Sequence, residues 1–377
     1  MIPVKIYYED SLPYAAEFFA ELGQCQVFSH RTVNADLVAD ADILLVRSTT
    51  KVDGKLLQLN QDIQYVATAT AGTNHLDKSY LHGRQLDFAS AAGCNATAVA
   101  EYVLSAIVVM AQHLDWQLAN KTVGIVGAGH VGTTLANKLT ALGIRYKLCD
   151  PPLQEQGDPR DWVSMEDIMQ CDVISLHVPL IQEIPHVTLH MFDSERLAQL
   201  RDDQLLINAC RGEVVDNQAL LDCFENGRKL NVVMDVWENE PHINLALVPY
   251  IALATAHIAG HTIEGKARGT EMLYQQVCKR LHKPVEKSLT DFLPPAQPDR
   301  IDIPQGLSGQ ALFTHLILSV YDISQDSKHF KDSVHLPDQF GYIRKNYSIR
   351  REFAALKVNA GNSAATEAIY ALGFARK

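Results

Sequence analysis

Short apolar runs alternate with polar helical stretches through the first ninety residues. The runs Val4 to Tyr8, Asp42 to Val46 and Tyr65 to Ala69, with the segment around Phe88, have the length and composition of strands, which predicts a small α/β unit. From Ala98 to Gln112 the apolar residues are too dense for a surface helix, so a long buried helix is expected there. A fresh alternation begins at Thr122 to Val126. It continues through Tyr146 to Cys149, Val173 to His177, Gln204 to Ala209, Asn231 to Val236 and Ile251 to Ala254, predicting six strands separated by helices. A helix from about Ile263 to Leu281, capped by Thr262, then carries the chain back toward the first unit.

Pro294, Pro295, Pro298 and Pro304 interrupt the pattern and open a tail with a helical segment at Gly309 to Tyr321 and a basic stretch, Arg344-Lys345-Asn346-Tyr347 with Arg350-Arg351. The expected organisation is a substrate domain over 1–97, a dinucleotide domain over 98–257, a return segment over 258–290 and a C-terminal domain over 291–377.

Composition narrows the field. A chain of 377 residues exceeds what one core usually supports. With Lys+Arg 33 against Asp+Glu 44, the net charge of -11 disfavours general binding to nucleic acid or an anionic membrane. Cys25, Cys94, Cys149, Cys171, Cys210, Cys223 and Cys278 are scattered without close pairing, which argues against a disulfide framework or a structural zinc site and fits a reducing cytosol. No metal is expected. The N-terminus lacks the basic start and apolar core of a signal peptide, and the stretch Ala96 to Ala111, interrupted by Glu101, is short for a bilayer. A cytoplasmic protein is the expectation.

Thr122 to Gly132 places Gly127, Gly129 and Gly132 directly after a strand and at the start of a helix. That context permits a tight turn, close approach to a pyrophosphate, and packing of helix on strand. Asp150 closes the next strand, where its carboxylate can bond ribose hydroxyls and repel a 2′-phosphate, so NAD is expected over NADP.

Arg211, Glu240 and His257 each lie just beyond a predicted strand. Residues at strand ends of an open parallel sheet converge on one crevice. A histidine there can take a hydroxyl proton, a carboxylate can orient it, and an arginine can fork onto a substrate carboxylate. Glu238 competes with Glu240 for the orienting role. Asp235 could accept from a nicotinamide carboxamide or cap a turn, and Ala259-Gly260 leave room beside His257.

The strings Gly127 to Gly132, Asn208-Ala209-Cys210-Arg211-Gly212, Asp235 to Pro241 and His257-Ile258-Ala259-Gly260 resemble the D-isomer-specific 2-hydroxyacid dehydrogenase family over roughly residues 1 to 285. The resemblance implies a Rossmann-type doubly wound parallel sheet domain and a flavodoxin-like substrate domain. It implies NAD contacts at Gly127, Gly129, His130, Val131, Gly132, Asp150, Val178, Ala209, Cys210, Arg211, Asp235 and Gly260, with Arg211, Glu240 and His257 in the catalytic roles.

Further strings, among them Arg47-Ser48-Thr49-Thr50-Lys51, Ala67 to Thr73 and Glu264 to Thr270, are similar to a branch of the family that acts on a small phosphorylated sugar acid. That likeness implies substrate contacts at Ser48, Thr70 and His261, and a small C-terminal α/β dimerisation domain forming a homodimer. The alternative for Ser48 and Thr70 is a turn-capping role. His261 stands where that branch usually has a tyrosine, and Val178 where it has a threonine. Oxidation of another D-2-hydroxy acid such as 3-phosphoglycerate, and a non-catalytic NADH-sensing module, remain open alternatives.

Overall fold

The computed structural model describes residues 3–348, 350–360 and 365–376. Two compact units are formed, one by Met1–Asn95 with Thr262–Pro294 and one by Ala96–His261 with Pro295–Lys377.

In the first unit, Lys5–Glu9 (β1), Gln24–Phe28 (β2), Ile43–Val46 (β3), Tyr65–Thr68 (β4) and Asp87–Ser90 (β5) pair in parallel in the order β2-β1-β3-β4-β5, the flavodoxin-like arrangement. Every residue of β3 and β4 is buried, so both read as continuous apolar runs. Strand β2 is absent from the sequence-based expectation. It is an edge strand, Gln-Cys-Gln-Val-Phe, with only Phe28 fully buried, and lacks the run that marks its neighbours. The expected return helix is Ile263–Arg280. Thr262 Oγ1 accepts the Gly265 N–H at 2.9 Å, and Leu273, Tyr274, Val277 and Cys278 pack with Phe18 and Phe19 into the core of this unit.

In the second unit, Thr122–Val126 (β6), Arg145–Cys149 (β7), Val173–Leu176 (β8), Leu205–Asn208 (β9), Asn231–Met234 (β10) and Leu253–Ala254 (β11) form a parallel sheet in the order β11-β10-β9-β8-β6-β7. A parallel bridge from Leu148 to Trp162, with the Val163 N–H on Leu148 O at 2.9 Å, supplies the rudiment of a further strand outside β7. With that rudiment counted, the order is that of a doubly wound dinucleotide-binding sheet, reversing at β6.

The helix Ala96–His113 packs against the helices His130–Ala141, Gly309–Val320 and Ile323–Ser333, which covers it on several sides and explains its all-round apolarity. It is long and apolar enough to cross a membrane by length and composition, but 78% of that window is buried inside the protein. Its Glu101 pairs with Lys138 at 3.0 Å. Residues of the tail, including Leu312, Leu316, Ile323 and Phe353, join the same hydrophobic core. Arg300–Ile301, Lys357–Val358 and Ala375–Arg376 form a parallel three-stranded sheet whose two-residue strands are too short to leave a periodic signal. Within the basic stretch, Arg350 is buried.

Candidate active site

The glycine turn sits at the end of β6, where the strand order reverses. Gly127 has φ +88°, and a Cβ there would meet His177 O at 2.6 Å; a Cβ on Gly132 would lie 2.1 Å from Gly127 O. Both positions admit only glycine. A Cβ on Gly129 would instead enter open space, and no side chain caps the helix that begins at His130 and Val131. The turn therefore leaves helix N–H groups and an unobstructed backbone for an anionic pyrophosphate.

Asp150 accepts the Ala128 N–H at 2.8 Å and the Leu153 N–H at 3.1 Å, tying β7 to the glycine turn while keeping lone pairs for a ribose. Arg160, which sequence reasoning missed, braces the turn by donating to Ala128 O at 3.0 Å and Thr133 Oγ1 at 2.9 Å. A Cβ on Gly127 would also meet Val178 Cγ1, placing Val178 beside the turn. Burial pushes His177 down to about 3 and the Cys210 thiol up to about 11, so near neutral pH the one is uncharged and the other is no thiolate nucleophile.

Arg211, Glu240 and His257 follow β9, β10 and β11, three successive strands of one sheet, and all leave its carboxyl edge. Their loops are locked together. Asn208 shapes the first by accepting the Cys210 N–H at 3.2 Å and donating to Arg211 O at 2.9 Å. Gly212 then packs so tightly on the next loop that a Cβ would fall 2.0 Å from Trp237 C and O and 2.5 Å from Glu238 N. Glu240 accepts the Trp237 N–H at 2.9 Å through Oε1, and its Oε2 lies 2.7 Å from His257 Nδ1. Nδ1 thus carries the hydrogen, and the Nε2 lone pair is left for a substrate hydroxyl.

Glu238 takes no part in this pair. Its Oε1 lies 2.6 Å from His190 Nε2 and its Oε2 accepts the Asn217 N–H at 3.0 Å. Asp235, 1% exposed, accepts from Thr255 Oγ1 and Ile258 N, both at 2.7 Å, and from Ala259 N at 2.9 Å. Its carboxylate is thus the clamp that holds His257 and Gly260 in their loop, where His257 adopts φ +55°. The His261 ring lies 6.2 Å from the Tyr347 ring. Ala209 and Cys210 lie between β9 and Arg211.

Within the first unit, Ser48 is exposed in a loop that the buried Glu9 organises. Glu9 accepts from Ser11 Oγ and Thr49 Oγ1 at 2.5 Å, Thr50 Oγ1 at 2.6 Å and the Arg47 N–H at 3.0 Å. Sequence reasoning passed over Glu9; its only signal is an acid placed where β1 ends. Desolvation opposes its ionisation, but the hydroxyl and backbone donors prevail and hold the carboxyl below its usual range. A lowered folded-state value adds stability above the unfolded carboxyl range and loses it as pH falls through the folded value. Glu9→Gln is expected to destabilise this unit by about 3 kcal/mol at neutral pH, with the gap to the parent protein narrowing below about pH 4. Urea melts at several pH values measure it.

Thr70 is more engaged: its Oγ1 donates to Gly72 O at 2.8 Å and lies 2.8 Å from Thr68 Oγ1, which is itself 2.8 Å from His75 Nε2. Its one hydrogen is used in the turn, so toward a ligand it offers only an acceptor.

Comparison with known proteins supplies what geometry leaves open. Residues 98–259 match the family described as "D-isomer specific 2-hydroxyacid dehydrogenase, NAD binding domain", and residues 292–373 match a domain of unknown function. The chain is 71% identical to an erythronate-4-phosphate dehydrogenase of Pseudoalteromonas atlantica, over 99% of this chain and 100% of that one. It is 46% identical to the enzyme of the same name from Colwellia psychrerythraea, over 98% and 99%.

The chain belongs to the erythronate-4-phosphate dehydrogenase family, within the D-isomer specific 2-hydroxyacid dehydrogenases.

The fold agrees with solved members of the wider family. NAD+-bound 3-phosphoglycerate dehydrogenase of Entamoeba histolytica superposes with TM-score 0.61 at 22% identity, covering 77% of this chain and 99% of that one. D-lactate dehydrogenase of Aquifex aeolicus, complexed with NAD and lactic acid, gives TM-score 0.55 at 22% identity over 74% and 95%. The cofactor of this dehydrogenase is NAD, and the glycine turn with Asp150 lies inside the matched NAD-binding domain. Asp150→Asn is expected to raise KM for NAD about tenfold and to narrow the discrimination against NADP, read from steady-state kinetics with each dinucleotide.

Proposed function

We propose that the protein oxidises 4-phospho-D-erythronate to 2-oxo-3-hydroxy-4-phosphobutanoate with NAD, a step toward pyridoxal phosphate. The full-length 71% identity to an enzyme of that name supports the substrate. The chemistry rests on one observation, the 2.7 Å contact between Glu240 Oε2 and His257 Nδ1 that leaves Nε2 open on the same sheet edge as Arg211.

His257 Nε2 takes the proton of the substrate 2-hydroxyl as the C2–H bond breaks and the C2–O bond becomes a carbonyl. NAD, when bound, accepts the hydride from C2. Glu240 holds the ring in the reactive tautomer and faces the charge it gains. The Arg211 guanidinium forks onto the substrate carboxylate and polarises the forming carbonyl. Asp235 fixes the loop between His257 and Gly260, while Ser48, Thr70 and His261 are the proposed substrate contacts. We place the protein in the cytoplasm as a homodimer joined through residues 291–377; sedimentation as a monomer at micromolar concentration would overturn that assembly.

The deciding experiment follows NADH absorbance with purified protein and a set of phosphorylated D-2-hydroxy acids. The highest kcat/KM is expected with 4-phospho-D-erythronate; faster turnover of 3-phosphoglycerate replaces the substrate assignment, and no turnover of any acid favours an NADH-sensing module.

A further inference from the structure

Strand β11, which delivers His257, has two ladder residues and lies at the edge of its sheet. On its inner side it pairs with β10. Its outer side would present unpaired backbone groups immediately before the residue that moves the proton, and such an edge is usually held poorly. No strand covers it among the described residues. Side chains from the tail do so instead.

Ser327 Oγ accepts the Ala254 N–H at 2.9 Å. Lys331 Nζ donates to Ile251 O and, at 3.2 Å, to Ala252 O. Arg350 Nη2 donates to Ala259 O at 2.5 Å and to Ala98 O at 2.8 Å, joining the loop beyond His257 to the long core helix. The Ala256–Gly260 loop is thus gripped from two directions, with the Asp235 carboxylate on the N–H groups of Ile258 and Ala259 and the Arg350 guanidinium on the carbonyl of Ala259.

Arg350 is itself fixed. It is 5% exposed, and its guanidinium carbon lies 4.4 Å from the centroid of the Tyr321 ring. The Tyr321 and Tyr347 hydroxyls both donate to Asp326 Oδ2, at 2.9 Å and 2.5 Å. A buried cation beside two tyrosines and a carboxylate is costly to assemble, and here one guanidinium nitrogen reaches both carbonyls from the end of a side chain one bond longer than a lysine's.

We propose that the tail forms the outer rail of the proton-transfer strand, and that Arg350 is a positioning residue for His257. This rests on the proposed dehydrogenase reading and adds a role for residues 323–350 besides assembly: Ser327 and Lys331 stand in for a missing neighbouring strand, and Arg350 sets the loop that begins at His257. Arg350 touches no reacting atom; it acts through the carbonyl of Ala259.

The test compares full-length Arg350→Lys, Lys331→Met and Ser327→Ala with the parent protein. Three quantities are read: kcat and KM for the hydroxy acid with NAD, NADH affinity by fluorescence, and hydrogen exchange without ligand over 251–261 and over β10. Arg350→Lys is expected to lower kcat at least about tenfold, since a small misplacement of a catalytic group is costly, with NADH affinity within about twofold. Exchange should quicken at Ile258 and Ala259 but stay unchanged in β10. Ser327→Ala, the mildest change, should quicken exchange at Ala254 alone and lower kcat by a smaller factor.

Unchanged kcat and unchanged exchange at 254–259 in folded Arg350→Lys and Ser327→Ala proteins would overturn the rail. A loss of kcat that merely tracks the unfolded fraction, with exchange quickened throughout the sheet, would also overturn it. Should the parent protein oxidise no acid, the dehydrogenase reading fails separately, and the exchange measurement still decides whether the tail holds the loop.

Discussion

Replacing His257 by alanine is expected to lower kcat about a thousandfold or more, while NADH affinity stays near that of the parent protein. The proton of the hydroxyl then has no acceptor at the sheet edge: Glu240 has one oxygen on the Trp237 N–H and its other against the His257 position, and Asp235 is spent on backbone N–H groups. The backbone adds a second signature. At φ +55° a side chain strains the chain and a glycine does not, so His257→Gly should melt higher than His257→Ala, by about 1 kcal/mol, though both are inactive. Stopped-flow turnover, NADH titration and thermal melts separate the two effects. An alanine variant within tenfold of the parent kcat would remove His257 from the proton step.

The second large effect falls on a residue with no side chain. Gly212→Ala brings a methyl to 2.0 Å from Trp237 C and O, backbone atoms that cannot rotate away, so one of the two loops must move. Displacing Trp237 moves the N–H that holds Glu240, and with it the partner of His257; displacing Gly212 moves Arg211. We expect kcat/KM to fall at least about a hundredfold and stability by about 3 kcal/mol. Gly83→Ala, where a Cβ would meet nothing within 4 Å, is the control and should alter neither. Ordinary kinetics in Gly212→Ala would mean that the loops are less tightly joined than the 2.0 Å approach requires.

Much of this site is legible in the chain because the strands that carry it are buried, the central β9 and β10 and the edge strand β11 alike. Residues of β8, β9 and β10 are nearly all buried, so their apolar runs are unbroken, and the polar residue that ends each run stands out. Arg211, Glu240 and His257 can be picked in that way. The choice between Glu238 and Glu240 cannot, since both follow β10 within a few residues and only the fold shows one facing His190 and the other His257. Asp235 is similar: its type and place suit a ligand or a turn, and only the fold shows the contacts to Thr255, Ile258 and Ala259 that tie it to the loop.

The tail is the least legible part. Its strands have two residues each, and Arg350 belongs to a basic stretch in which nothing sets it apart from its charged neighbours. A buried arginine is distinguished from an exposed one by its partners, and here these are the carbonyls of Ala98 and Ala259, far away in sequence and independent of side-chain identity. Glu9 is hard to read for a related reason, because all its partners but Ser11 are the hydroxyls and the N–H of a loop about forty residues downstream.

The division of the chain also orders its assembly on the ribosome. Thr262–Pro294, which completes the first unit, emerges only after the whole of Ala96–His261 has been made. The first ninety-five residues must therefore wait with the Phe18 and Phe19 surface uncovered until the helix Ile263–Arg280 arrives. Arg350 appears later still. A nascent or prematurely terminated chain can hold the glycine turn and all three of Arg211, Glu240 and His257 and yet lack the outer grip on the histidine's loop, so under the proposed rail synthesis through Arg350 becomes a condition for turnover.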